Sequence, residues 1–264
     1  MPGNSQPHAR PRNTRHDHVA GETIGRHRHA FHQLIYVSTG VLAVRTEAAS
    51  WIASSARAMW IPANTWHQHR VYGPSHVHTI GFAPDAPPLR SVTPTVISVD
   101  PLLRELLIAC SDPDLSEREL DHIQTVTRDR LERAHVQPVV LPTPRDPRLV
   151  RACSLAADDL ARPRTMAWLA RHSGAGERTL ARLFRTEFGM TYPQWRTATR
   201  VFHAMIQLAE GATVTEAGHR CGWATTSAFI DAFTRTLGQT PGGYRAALRG
   251  SPPLSPAPDR PAAP

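Results

Sequence analysis

The sequence predicts an α+β protein of two domains, and three observations predict it. Short apolar runs recur at even spacing from residue 16 to about 82, with Gly, Ser, Pro and Asn between them. Four prolines fall within residues 136–148, the composition of a semi-rigid linker. Beyond them the apolar residues keep helical spacing. There one phrase occurs twice, as LARHSGAGERTLARLFRTEFG at 169–189 and AGHRCGWATTSAFIDAFTRTLG at 217–238.

Residues 1–15 are polar and rich in Pro and Arg. They cannot bury apolar surface and are predicted to be a disordered arm. The same holds for the tail, 250–264. FHQLIYVSTG, VLAVRTEAA, SWIASSARAMWIP and HVHTIGFA read as strands of a small antiparallel barrel with two helices after it. Together they make a domain over 16–135. The first helix places Leu102, Leu103, Leu106 and Leu107 on one face. The second, over 114–134, starts at a capping box formed by Ser116 and Glu119. Its apolar stripe, from Leu120 to Leu131, suits packing within the domain or against a second copy in a homodimer. The linker is set at 136–147. A helical domain follows over 148–249, with helices near 147–161, 165–172, 177–187, 192–210, 213–220, 225–236 and 241–248.

Bulk composition narrows the function classes. Thirty cationic residues, all Arg, face 22 acids, a formal charge of +8. That balance favours a polyanionic partner. Cys110, Cys153 and Cys221 are scattered and form no CxxC pair, so neither a disulfide framework nor a zinc ribbon is indicated. No apolar run approaches the roughly 18 residues of a membrane span, and no signal-peptide core opens the chain. A cytoplasmic protein with no membrane partner is expected.

The repeated phrase carries the function. Each copy reads helix, glycine-bearing turn, helix and closing glycine. Leu169 pairs with Ala217, Gly174 with Gly222, Phe184 with Phe233 and Gly189 with Gly238. A helix-turn-helix turn needs a residue that tolerates a left-handed backbone, which Gly supplies. The intervening helix spans ~19 residues, or roughly 28 Å, close to the ~34 Å turn of B-DNA. The stretches LARHSG, LARLFRTEFGMTYPQWR and VTEAGHRCGWATTSAFIDAFTRTLGQTPGGYR closely resemble the DNA-binding domain of the AraC/XylS family of bacterial transcription regulators. That resemblance implies that Arg178, Thr179, Arg182 and Arg185 form the DNA-contacting face of the first recognition helix. It likewise implies Thr225, Thr226, Ser227 and Arg235 for the second. The plain alternative for each Arg is a solvated surface charge. Two departures stand out. Gly176 replaces the Ser usual at the N-cap, and Asp231 stands where a basic residue is usual.

The runs at 25–40 and 59–69 (GRHRHAFHQLIYVSTG and MWIPANTWHQH) resemble the two motifs of a cupin barrel, the sensing domain of one branch of the same family. The resemblance places His27, His29, Gln33 and His67 in the frame that holds a metal in metal-binding cupins, with Gln33 in place of the carboxylate. Three imidazoles still suit a divalent metal, with His27, His29 and His67 as its ligands. The alternative is a small-ligand pocket lined by His27, His29, Gln33, Tyr36, Trp60 and His67. The expected protein is therefore a sequence-specific regulator, an activator or a repressor, of double-stranded promoter DNA. A small molecule or metal in the barrel controls it, it forms a homodimer, and RNA polymerase is a further partner open to it. No cofactor is assigned beyond that metal, and no catalytic residue. A metal-dependent cupin enzyme with an accessory helical domain is the competing reading. The missing motif-one carboxylate counts against it. A DNA-alkylation sensor would need a cysteine cluster that the chain lacks.

Overall fold

Leu34, Ile35, Tyr36 and Val37 are consecutive and all fully buried, so both faces of their strand are covered. The structure, a computed structural model, describes residues 5–6, 13–137 and 141–248. The expected tail lies outside the described residues, as does the expected arm up to residue 12 apart from a two-residue strand, Ser5–Gln6. The principal strands are β1 (Thr14–His18), β2 (Thr23–His29), β3 (His32–Thr46), β4 (Ala49–Ala53), β5 (Arg57–Ile61), β6 (His67–Phe82) and β7 (Thr95–Ser98). Two-residue strands β8 (Val136–Gln137) and β9 (Leu141–Pro142) follow helices α1 (Pro101–Ala109) and α2 (Glu117–Glu132).

Two long strands organise the sheet. β3 and β6 pair antiparallel from His32↔Phe82 to Thr46↔His67. β1 and β2 add to β6, β4 and β5 add to β3, and β7 adds to β5. The runs 31–40 and 41–49, read separately from sequence, are mostly one strand. Gly40 lets it continue through a register shift, because its φ is +80° and a Cβ there would lie 2.1 Å from the Ser75 hydroxyl. β6 begins nine residues before the run HVHTIGFA, because its first half is polar and broken by Gly73 and Pro74. β1 begins at Thr14, inside the expected arm.

The period-two alternation of a strand sorts the core into two layers. Ile35, Val37, Met59, Ile61 and Val96 pack with Trp51 and Val71 on one face. Leu34, Tyr36, Ala58, Trp60 and Ile97 pack on the other against Leu103, Leu107 and Leu131 of the two helices. The face expected of α1 is therefore narrower: Leu103 and Leu107 are buried, but Leu102 is 52% exposed. Nine residues make only two and a half turns, and neighbours in sequence diverge by about 100° around a helix. The Ser116–Glu119 capping box forms at the start of α2.

The linker is stitched to the sheet. β8 pairs with β7, and Leu141 and Pro142 pair with Ser50 and Ala49. Helices α3 (Pro147–Ala157), α4 (Met166–Ser173), α5 (Glu177–Phe188), α6 (Tyr192–Ala209), α7 (Val214–Arg220), α8 (Thr226–Leu237) and α9 (Pro241–Leu248) complete the chain. Most ends lie within two residues of the sequence expectation. The exception is α3, which stops at Ala157 rather than near 161.

Candidate effector site and nucleic-acid interface

The sheet gathers histidines where β2 meets β6. His27 lies opposite His67, and Ile24 opposite His69, with a bulge between the two pairs. Residues 67 and 69 share a face because strand side chains alternate. The result is a group of three, His27, His67 and His69, whose ligand atoms all lie within 4.8 Å of one another. His67 and His69 are 1% and 5% exposed, and His27 is half-buried.

Backbone carbonyls fix two of the rings. The Gly25 carbonyl lies 2.8 Å from His27 Nδ1, and the Thr65 carbonyl lies 2.8 Å from His67 Nδ1. A carbonyl only accepts, so each Nδ1 carries the proton and each Nε2 presents a lone pair. Nε2 of His67 and Nε2 of His69 are buried with no hydrogen-bond partner among the described residues. Such an unpartnered atom costs about 1–3 kcal/mol. Burial pushes His67 down to about 3 and His69 well below the ordinary histidine range, with neighbouring imidazoles adding to both shifts. Those two rings are therefore neutral, the form that ligates metals. His67 also lines a cavity of about 230 Å³ with Arg26, Arg45, Trp66 and Gln68.

The sequence frame of His27, His29, Gln33 and His67 is divided by the structure. His27 and His67 converge. His29 stays beside them, its ring 5.0 Å from that of His67, but both its nitrogens have partners: Nδ1 lies 2.6 Å from the Phe31 carbonyl and Nε2 3.2 Å from Gln33 Oε1. Its ring stacks on Phe31 at 4.3 Å. His69, which the sequence motif did not single out, takes the third position; only the repeat of an H-x-H spacing at 67–69 hinted at it. Tyr36 and Trp60, expected to line the same pocket, sit in the layer beneath α1 and α2 instead. Tyr36 donates to the Ser55 carbonyl and Trp60 to the Ser91 carbonyl. Strand parity turns them to the face away from Gln33. A larger cleft, about 770 Å³, has none of these three histidines in its lining; it lies between β1 and the α1–α2 turn, lined by Asn13, His16, Asp17, Ser111 and Gln124 among others.

The helical half holds two similar units. Gly174 ends α4 with φ +75°, and Gly222 follows α7 with φ +87°. Gly222 also has no room for a side chain, since a Cβ would lie 2.2 Å from the Leu160 carbonyl. Gly218 lets α7 approach α8, where a Cβ would meet Phe229 at 3.0 Å. In the first unit Leu180, Leu183, Phe184 and Phe188 face inward. Arg178, Arg182 and Arg185 are exposed, Thr179 is half-buried, and the three arginines make no ion pair among the described residues. Gly176 leaves α5 without a side-chain cap.

In the second unit Phe229 and Phe233 face inward. Thr225 caps α8 by accepting from the Ala228 amide at 3.2 Å. Thr226 is half-buried, Ser227 is exposed, and Arg235 pairs with Asp231 one turn away. The connecting helix α6 has 18 residues, hence a length of about 27 Å.

The sheet domain packs against the second unit. Val41 and Ile52 share one apolar cluster with Val201, Met205, Leu208, Phe229, Phe233 and Tyr244. Arg57, 2% exposed, donates from Nη2 to the Leu237 carbonyl at 3.0 Å. That carbonyl lies at the C-terminal end of α8, where the helix dipole favours a cation. No local pattern signals this contact, because the partners stand 180 residues apart.

Residues 14–111 match the AraC-like ligand binding domain, and residues 169–247 match a helix-turn-helix domain. The HTH-type transcriptional regulator NimR of Escherichia coli K12 is 29% identical over 236 residues, covering 88% of this chain and 86% of NimR. The HTH-type transcriptional regulator RipA of Corynebacterium glutamicum is 31% identical over 129 residues, 48% of this chain and 38% of RipA. Among solved structures, ToxT of Vibrio cholerae O395 is 12% identical at a TM-score of 0.42, covering 91% of this chain and 99% of that one. No described helix is long and apolar enough to cross a membrane.

Proposed function

We propose, for a chain that belongs to the AraC family of helix-turn-helix transcriptional regulators and carries an N-terminal AraC-like ligand-binding domain, that it reads a specific sequence of promoter DNA under control of an effector held in the sheet domain. It is a DNA-binding regulator and not an enzyme. The observation that carries the proposal is the arginine face of α5. Arg178, Arg182 and Arg185 project from a helix whose opposite face is buried in its own unit. Arg suits guanine through two parallel hydrogen bonds. Thr179, Thr225, Thr226 and Ser227 suit phosphate oxygens, and Arg235 suits either partner.

The two units sit at opposite ends of α6. This supports entry into successive major-groove segments on one side of the duplex. A small molecule or a divalent metal at the histidine face is the effector. It acts by differing affinity for two states of the sheet domain, and the Arg57–Leu237 contact is the route to the second unit. A second copy covers the apolar side chains left on α1 and α2, where Leu102 and Val126 are 52% and 45% exposed. RNA polymerase is a partner on the promoter.

A footprint on the DNA upstream of the chain's own gene tests this. Two protected segments about one turn apart, roughly 10 base pairs, are expected. Uniform low-affinity coverage of any DNA would sink it. Arg182→Ala is expected to cost about 1–3 kcal/mol at one base position. Equal loss on every sequence would show that Arg182 touches phosphate only.

A further inference from the structure

We propose that His27, His67 and His69 together hold one divalent transition-metal ion, leaving the fourth position of a tetrahedral site open. The inference rests on the reading of the sheet domain as the effector domain, and it names the ligand class and the ligand set. It differs from the sequence frame at one position: His69 enters and His29 leaves.

Hydrogen-bond direction carries the argument. The Gly25 and Thr65 carbonyls hold the Nδ1 protons of His27 and His67. Both Nε2 atoms are then acceptors, and acceptors that face one another cannot satisfy each other. Nε2 of His69 is equally without a partner among the described residues. One shared electron-pair acceptor would satisfy three ligand atoms that lie within 4.8 Å of one another, two of their rings carrying a buried Nε2 without a partner among the described residues. A carbonyl behind each ligating imidazole is also the usual outer support of a metal site.

The donor set selects the metal. Three neutral nitrogens and no carboxylate suit Zn²⁺, Co²⁺, Ni²⁺ or Cu²⁺, and they suit Mg²⁺ or Ca²⁺ poorly. Bonds of about 2.0–2.1 Å to each nitrogen draw the three rings closer together. His29 is already committed to the Phe31 carbonyl and Gln33. His67 also borders the cavity it shares with Arg26, Arg45 and Glu47.

Cobalt uptake by the full-length protein tests the site. Chelator-treated protein is titrated with Co²⁺, and ligand-field absorption and bound metal per chain are read, followed by displacement with Zn²⁺. One cobalt per chain in a tetrahedral spectrum is expected. His69→Gln is expected to weaken binding by more than about 100-fold, beyond the 10–100-fold typical of losing only a supporting residue. His29→Gln is expected to bind as the parent does. His27→Gln, at the half-buried edge of the group, repeats the test where folding is least at risk, and circular dichroism checks every variant. No uptake, or uptake lost in His29→Gln and kept in His69→Gln, would overturn the assignment. The DNA footprint is run on the same samples. A normal footprint without cobalt uptake overturns the metal site alone, and uptake without a footprint overturns the DNA reading alone.

Discussion

The two helix-turn-helix units share a plan and differ in what holds them. The first closes its core on itself: Leu149, Leu169, Phe184 and Trp195 pack together without any residue of the sheet domain. The second shares its core with Val41 and Ile52 of the sheet and is pinned by Arg57. Their DNA faces differ in the opposite sense. The first exposes three arginines that make no ion pair among the described residues, on a helix with no side-chain cap, while the second has a capped helix whose Arg235 is occupied by Asp231. Under the proposed function the first unit anchors the protein on DNA. The second grips less and is the one the effector domain can reach.

Core truncation breaks the comparison most severely. Phe184→Ala and Phe233→Ala each remove a fully buried ring and are expected to cost about 3–5 kcal/mol. Hydrogen exchange separates them. Phe184→Ala should expose only amides of 147–195, whereas Phe233→Ala should also expose β3 and β4. Equal, confined effects would show that the shared core does not couple the halves.

Arg57→Met comes next. It removes a buried cation and its bond to the Leu237 carbonyl while keeping an unbranched apolar stem, with an expected loss of about 1–3 kcal/mol in docking. Footprinting should show stronger protection of the second unit's segment and no change at the first. Weaker protection at both would mean that the contact supports DNA binding rather than restraining it.

Asp231→Asn has a smaller effect. It frees Arg235 and removes a charge that repels phosphate. Affinity should rise at low salt, and the salt slope should steepen by about one counterion. An unchanged slope would leave Arg235 off the backbone. Gly176→Ser is the smallest change. Gly176 has φ −74° and ψ 156°, and a Cβ there meets nothing within 4 Å. Supplying the missing cap should stabilise α5 by a few tenths of a kcal/mol, read as a small rise in Tm. A fall would indicate strain that the open geometry does not show.

Most of the helical half was legible, down to Gly174 and Gly222, because caps, turns and 3.6-residue periods act within a few positions along the chain. The capping box at Ser116 was legible for the same reason. The sheet half was legible in class but not in register. Its polar strands β1 and β2 gave no apolar alternation, and the two runs around Gly40 looked separate. The cupin resemblance placed His29 beside His27 and His67.

What the sequence by itself determined is the order of domains, the helices and the arginine-bearing face of α5, since these follow from short-range hydrogen bonding and periodicity. Only the tertiary structure decided that His69 joins His27 and His67, that Tyr36 and Trp60 belong to the helix-covered layer, and that Arg57 meets Leu237. Each of these depends on strand pairing and domain packing between residues far apart in the chain. A shift of one residue in such a pairing turns every side chain to the opposite face.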